Sequence, residues 1–147
     1  MSVASTSETE EATEERGLGG ALLREKAVEE RARHFIVIID GSKLVSLLGT
    51  KAPLPVEVAQ ADWEAAADKL AALGCLPVLR RGPSEPFITD NGNYLLDCRF
   101  PAGIADAPAL AAALDRDPLV IGHGLFLRMA DEVIIGGPTG TRRLLRP

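Results

Sequence analysis

"FITDNGNYLLDCRF", residues 87–100, places Asn91-Gly92 between two arms rich in strand-forming residues. Asn-Gly supplies the positive φ angles of a tight turn, so the stretch reads as a β-hairpin. Its neighbours decide what the hairpin belongs to. Before it, "LPVEVA" (54–59) is strand-like, "ADWEAAADKLAALG" (61–74) is helical, and "CLPVLRR" (75–81) is a strand. The helix places Trp63, Ala66, Ala67 and Leu70 on one side, with Gly74 as its stop. After the hairpin, "DAPALAAALDRD" (106–117) predicts a short helix and "LVIGHGLF" (119–126) a strand. The order β-α-β-β-α-β over residues 54–126 is the split, ferredoxin-like arrangement.

Outside that unit the rhythm differs. "GLGG" (17–20) is a flexible turn, and a helix follows from about Ala21 to Arg33. "HFIVIID" (34–40) is a continuous β-branched run, expected as a strand buried on both faces of a parallel sheet. "SKLVSLLGTKAPL" (42–54) is a loop with a short helical turn, and "DEVIIGGPTG" (131–140) is a further buried strand and turn. Residues 1–16 are mostly Ser, Thr, Glu and Ala; they predict a disordered acidic tail, because they bury too little to offset their ordering entropy. The expected fold class is α/β with α+β. Residues 17–50 and 127–147 read as a partial, Rossmann-like α/β unit, interrupted by a small ferredoxin-like α+β domain at 54–126.

Composition narrows the function. The 147 residues are 46% apolar and 25% charged, as in a soluble globular chain. A net charge of −5 argues against a nucleic-acid surface. The run "FIVII" (35–39) is far too short to span a membrane. The first residues lack the basic and apolar regions of a secretory signal. Cys75 and Cys98 read most simply as reduced, packed thiols in a cytoplasmic protein.

Chemistry concentrates near residues 17–43. Positions 21, 25, 28 and 32 share one helical face and hold Ala, Glu, Val and Ala. Glu25 is there expected to be a partly desolvated carboxylate suited to general-base work; the plainer reading is a boundary glutamate that reaches water or a lysine. The glycine turn offers backbone N–H groups to an anion, or is merely a tight connection. Asp40, Ser42 and Lys43 follow the strand's carboxyl end, where α/β sheets bind ligands; a solvated turn is the alternative. Asp90-Asn91-Gly92-Asn93 fails the spacing of a calcium loop, His34 and His123 belong to no ligand motif, and no metal site is expected.

Taken together, "GLGGALLREK" (17–26), "FIVIIDGSK" (35–43), "PLPVEV" (53–58), "TDNGNYLLDCRF" (89–100) and "HGLF" (123–126) resemble the later part of type A ribose-5-phosphate isomerase. The resemblance runs over residues 16 to about 145. It implies a cofactor-free interconversion of ribose 5-phosphate and ribulose 5-phosphate, on an α/β domain bearing a ferredoxin-like lid. It places Glu25 at the proton acceptor, Lys43 at a substrate-contacting lysine, and Gly17, Leu18 and Gly19 in the substrate loop. Arg16 stands where the family has lysine, which keeps charge but changes reach. The family's G-T-G-S-T-like and D-G-A-D-E-like motifs do not occur in this sequence. The resemblance therefore implies a truncated or split isomerase that self-associates or is completed by a missing N-terminal half. The alternative is a non-catalytic remnant, a lid-like binding or interaction domain.

Overall fold

The computed structural model describes residues 2–6, 9–15 and 22–145. In chain order its elements are β1 (Ser2–Thr6), β2 (Thr9–Glu15), α1 (Leu22–Arg31), β3 (Ile36–Asp40) and β4 (Leu44–Val45). They continue with β5 (Leu54–Val58), α2 (Trp63–Ala72), β6 (Leu76–Leu79), β7 (Tyr94–Arg99) and α3 (Ala107–Arg116). The last four are β8 (Val120–His123), β9 (Leu125–Leu127), β10 (Glu132–Gly137) and β11 (Gly140–Leu145). The fold is mixed α/β.

Residues 54–123 form a four-stranded antiparallel sheet in the order β6-β7-β5-β8. Strand side chains alternate between faces. Leu54, Val56 and Val58 share one face with Leu96 and Cys98, and bury it against Ala66 and Leu70 of α2 and Ala111 and Leu114 of α3. Both helices have local reasons to stop or start. Gly74 takes φ +89 just past α2, a left-handed turn that suits glycine. The Asp106 carboxylate accepts a hydrogen bond from the Ala109 amide at 2.9 Å and caps α3.

The Asn91-Gly92 turn is present, with Gly92 at φ +79 and its amide donating to the Thr89 carbonyl. Its first arm is shorter than expected: only isolated bridges, Arg81 to Pro86 and Ile88 to Tyr94, precede β7. The main partner of β7 on that side is β6. The expected strand at 119–126 is divided between two sheets, with Gly124 between β8 and β9.

A second sheet has the order β11-β10-β3, with β10 parallel to β3 and antiparallel to β11. The two apolar runs therefore lie side by side, with Ile38 opposite Ile134. The expectation that β3 is buried on both faces is corrected. Val37 and Ile39 are buried, whereas Ile36 is 43% and Ile38 72% exposed. The β-branched run gives a strand, but nothing among the described residues covers its outer face.

The expectation of disorder across residues 1–16 is corrected where the chain is described. β1 and β2 pair with each other, β1 runs parallel to β4, and β2 pairs with β9. The strands satisfy their backbone groups on sheet edges supplied by the rest of the chain, and Val3 is buried beside Val37, Ile39 and Val133. Composition had counted only what the segment could bury by itself.

Candidate active site

α1 is held against the four-stranded sheet on the face away from α2 and α3. Leu22 packs with Leu95 and Phe126 in a buried cluster. Leu23 lies over Gly122, where an added Cβ would come within 2.2 Å of its Cδ2. Lys26 sits 5.8 Å above the Phe126 ring, a cation–π contact. Arg24 reaches Asp90 at the hairpin tip, Nη1 to Oδ2 3.4 Å. Sheet, turn and helix thus fix the first turn of α1, which carries Glu25.

Glu25 is half-buried. The helical face predicted around it is corrected, because Val28 is 70% exposed and Ala32 is exposed. The buried positions of α1 are Leu22 and Glu29, one step round the helix. The neighbouring sheet decided which stripe is covered, and a helix with so few large apolar residues carries little signal of its own.

Lys43 ends the 3₁₀ turn Gly41–Lys43 directly after β3 and is exposed. The Ser42 amide donates to Asp40 Oδ1 at 2.8 Å. Hydrogen bonds from the Ser42 side chain and backbone, with the Lys43 charge nearby, hold the Asp40 carboxyl below its ordinary range. No hydrogen bond or ion pair joins Glu25 to Lys43 among the described residues. Arg16, Gly17, Leu18 and Gly19 lie outside the described residues.

Two buried polar groups near α1, Glu57 and His123, have structural roles that the sequence reading did not assign. Glu57 is fully buried at the centre of β5, opposite Leu95 on one side and Gly122 on the other. It therefore lies between the two positions on which Leu22 and Leu23 rest. Its Oε1 accepts from Thr89 Oγ1 at 2.9 Å and from Asn93 Nδ2 at 2.8 Å, while its Oε2 is buried with no hydrogen-bond partner among the described residues. Thr89 Oγ1 in turn accepts from the Asn93 amide at 3.1 Å. Glu57 thus grips the hairpin tip that meets α1 through Asp90. A glutamate inside "LPVEV" was the available signal, since a charge central to an apolar strand needs a partner.

The other is His123. Its Nδ1 accepts from the Leu125 amide at 3.2 Å, so Nε2 carries the proton and donates to Asp115 Oδ1 at 3.0 Å. Burial pushes its pKa down and the Lys26 charge adds to this, against the opposing pull of Asp115. With both ring nitrogens engaged, the imidazole has no lone pair left for base chemistry. It ties α3 to the β8–β9 junction beside a cavity of about 220 Å³ that Lys26 also lines.

Residues 9–140 match the family model for ribose 5-phosphate isomerase A (phosphoriboisomerase A). The chain belongs to this family. It is 52% identical over 132 residues to the ribose-5-phosphate isomerase A of Thermomicrobium roseum, covering 89% of this chain and 55% of that one. With the Gluconobacter oxydans ribose-5-phosphate isomerase A it shares 49% identity over 127 residues, covering 85% and 54%. A solved D-ribose-5-phosphate isomerase in complex with phospho-erythronic acid matches with a TM-score of 0.87 and 40% identity, over 91% of this chain and 59% of that one. The chain spans about half the length of the ribose-5-phosphate isomerase A relatives it matches.

Proposed function

We propose that this chain is the base-bearing part of an aldose–ketose isomerase that interconverts ribose 5-phosphate and ribulose 5-phosphate, and that it turns over only when the rest of the family fold is present. Membership of the ribose-5-phosphate isomerase A family carries the reading. Glu25, half-buried on a turn fixed from three sides, is the proton acceptor. It takes the C2 proton of the open-chain aldose, leaves an enediolate, and returns a proton at C1 to give the ketose. Lys43 and Arg16 contact the sugar phosphate, and Gly17, Leu18 and Gly19 form the loop beside it. The similarity to a phospho-erythronic acid complex supports a sugar-phosphate ligand. No cofactor takes part in this scheme. The protein works in the cytoplasm, in keeping with its two free cysteines.

In the same reading, residues 54–126 are an inserted ferredoxin-like lid, and 17–50 with 127–147 are part of the catalytic domain. The element order and the sheet order β6-β7-β5-β8 support the lid. The exposed face of β3 supports a partner that covers it, either a second copy or the remaining family segment. The same exposed face favours a second reading, a non-catalytic interaction domain.

Positioning decides between the readings. Full orientation of a substrate removes about 7–11 kcal/mol from a barrier, whereas one exposed ion pair to Lys43 supplies about 0–1 kcal/mol. The purified chain alone is expected to form ribulose 5-phosphate weakly or not at all. Adding the separately expressed N-terminal segment of the Thermomicrobium roseum relative is expected to restore turnover, and Glu25→Gln to abolish it while sugar-phosphate binding persists. Equal turnover by Glu25→Gln in the restored complex would remove Glu25 from its role. Tight association of the segments without turnover would favour the interaction domain.

A further inference from the structure

The loop after β4 and the end of β7 enclose a cavity of about 310 Å³. Two cations from distant parts of the chain line it: Lys51 from the loop, and Arg99 from the last position of β7. Among the described residues that line it none is Asp or Glu, in a chain with 21 acidic and 16 basic side chains. Arg99 is exposed, and no hydrogen bond or ion pair holds its guanidinium among the described residues. Asp97, two residues before it on the same face of β7, is taken by Arg80 in a two-pronged pair. Lys51 Nζ donates to the Ser42 carbonyl at 2.8 Å and to that of Leu44 at 3.5 Å, which leaves one N–H over.

The frame of the cavity is fixed on both sides. Leu48 is buried, and its carbonyl accepts from the Ile104 amide at 2.8 Å. Thr50 Oγ1 donates to the Leu47 carbonyl at 2.7 Å. A Cβ added at Gly49 would meet Ile104 at 3.1 Å and Phe100 at 3.2 Å, so the loop lies tight against the segment after β7. Walls set in advance lower the ordering cost of binding. Those walls are apolar: Phe100, Pro53, Pro101 and Leu76, which stands opposite Arg99 on β6 and is 59% exposed.

We propose that this cavity binds a small organic phosphate, an anion carried on an apolar group. A phosphate monoester holds close to two negative charges above about pH 7. The Arg99 fork takes two of its oxygens, and the spare N–H of Lys51 meets the third. The apolar group lies against Leu76, Phe100 and the prolines. Inorganic phosphate leaves that wall bare, and an uncharged ligand leaves both cations unpaired. The volume falls at the lower end of small-molecule sites, about 300–1,000 Å³. The cavity is separate from the residues assigned to the sugar phosphate. Neither Glu25 nor Lys43 lines it. Arg24, beside Glu25, meets the hairpin tip that leads into β7, whereas Arg99 ends that strand. Five residues at about 3.4 Å each put roughly 17 Å between the two ends of β7.

The test titrates the isotope-labelled full chain with phenyl phosphate above about pH 7 and follows its amide chemical shifts. Saturable shifts are expected at Thr50, Lys51, Ala52, Arg99 and Phe100. Arg99→Gln is expected to weaken phenyl phosphate about tenfold, through loss of a charge-assisted fork. Its exposure protects the fold, which an unchanged melting temperature checks. Leu76→Ser, in the apolar wall, is expected to weaken phenyl phosphate and to leave inorganic phosphate unchanged. Lys43→Gln is expected to change neither. The proposal is overturned if these amides show no saturable shift, if folded Arg99→Gln binds as tightly as wild type, or if inorganic phosphate binds as tightly as phenyl phosphate. Loss of the shifts in Lys43→Gln would also overturn it, by placing the phosphate at the sugar-phosphate residues.

Discussion

Replacing Glu57 with methionine keeps the length of the side chain and removes its acceptor. Thr89 Oγ1 then loses its acceptor at a buried position, and half-buried Asn93 Nδ2 loses one that water can partly replace. A buried donor left unsatisfied costs about 1–3 kcal/mol, so the Thr89 loss costs that much and the Asn93 loss adds less. Removing the carboxylate also relieves its own desolvation, which offsets part of that loss. A net destabilisation of about 3 kcal/mol is expected for Glu57→Met, or a fall in melting temperature of about 6–12 °C for a chain of this size. Glu57→Gln is the informative control. It keeps one acceptor oxygen for Thr89 and Asn93, and its amide replaces Oε2, which makes no hydrogen bond to lose. Its amide N–H groups find no acceptor at the Oε2 position among the described residues, so it is expected to cost about 1–3 kcal/mol, partly offset by the desolvation that loss of the charge relieves, and less than methionine. Urea unfolding followed by far-UV circular dichroism measures both. The reasoning fails if methionine costs less than about 1 kcal/mol, or if glutamine is as damaging as methionine, which would place an essential donor at Oε2.

Other expectations follow from single positions. Gly122→Ala should destabilise by about 1–3 kcal/mol by overpacking against Leu23, and Leu23→Ala should relieve it in the double variant. His123 titrates in the fold below its ordinary value. Its contribution is therefore fully present above about pH 6.5 and is lost as the pH falls through the folded pKa, because the unfolded chain binds the proton first. A plot of unfolding free energy against pH should flatten there in His123→Gln. Ile38→Lys should leave stability within about 0.5 kcal/mol and suppress concentration-dependent association in sedimentation velocity, since the side chain is largely exposed. Unchanged association would show that the outer face of β3 is not what brings copies together.

What the sequence made legible was the chemistry that acts locally. Asn91-Gly92 forms its turn because Gly92 itself supplies the left-handed backbone, at φ +79. Trp63, Ala66, Ala67 and Leu70 all pack into the main core, as their spacing required. What was not legible depended on distant neighbours. The run 35–39 announced a strand, but coverage of Ile36 and Ile38 is a property of whatever lies across from them. The buried stripe of α1 was chosen by Leu95, Phe126 and Gly122, not by the helix's own residues. Residues 2–6, 9–15 and 140–145 are too polar to declare themselves as strands, and they pair because β4, β9 and β10 offer open edges. At the site, Glu25 stood out by position, whereas the Glu57 clamp that steadies the hairpin tip beside it needs contacts thirty or more residues apart.

Gly124 is the only residue between β8 and β9, which belong to different sheets. It is buried, and its amide is tied to the Pro55 carbonyl at 2.9 Å. On the entering side, by contrast, the chain takes the whole stretch from Ser46 to Pro53 to pass from β4 to β5. The two crossings are built unequally: one is a single buried residue, the other a longer stretch pinned part-way by buried Leu48, whose carbonyl accepts from the Ile104 amide at 2.8 Å. Any rocking of the four-stranded sheet as a body has its short lever arm at Gly124. Side chains near that point, such as His123 and Leu125, would travel least, and the far corner near Leu76 would sweep the widest arc.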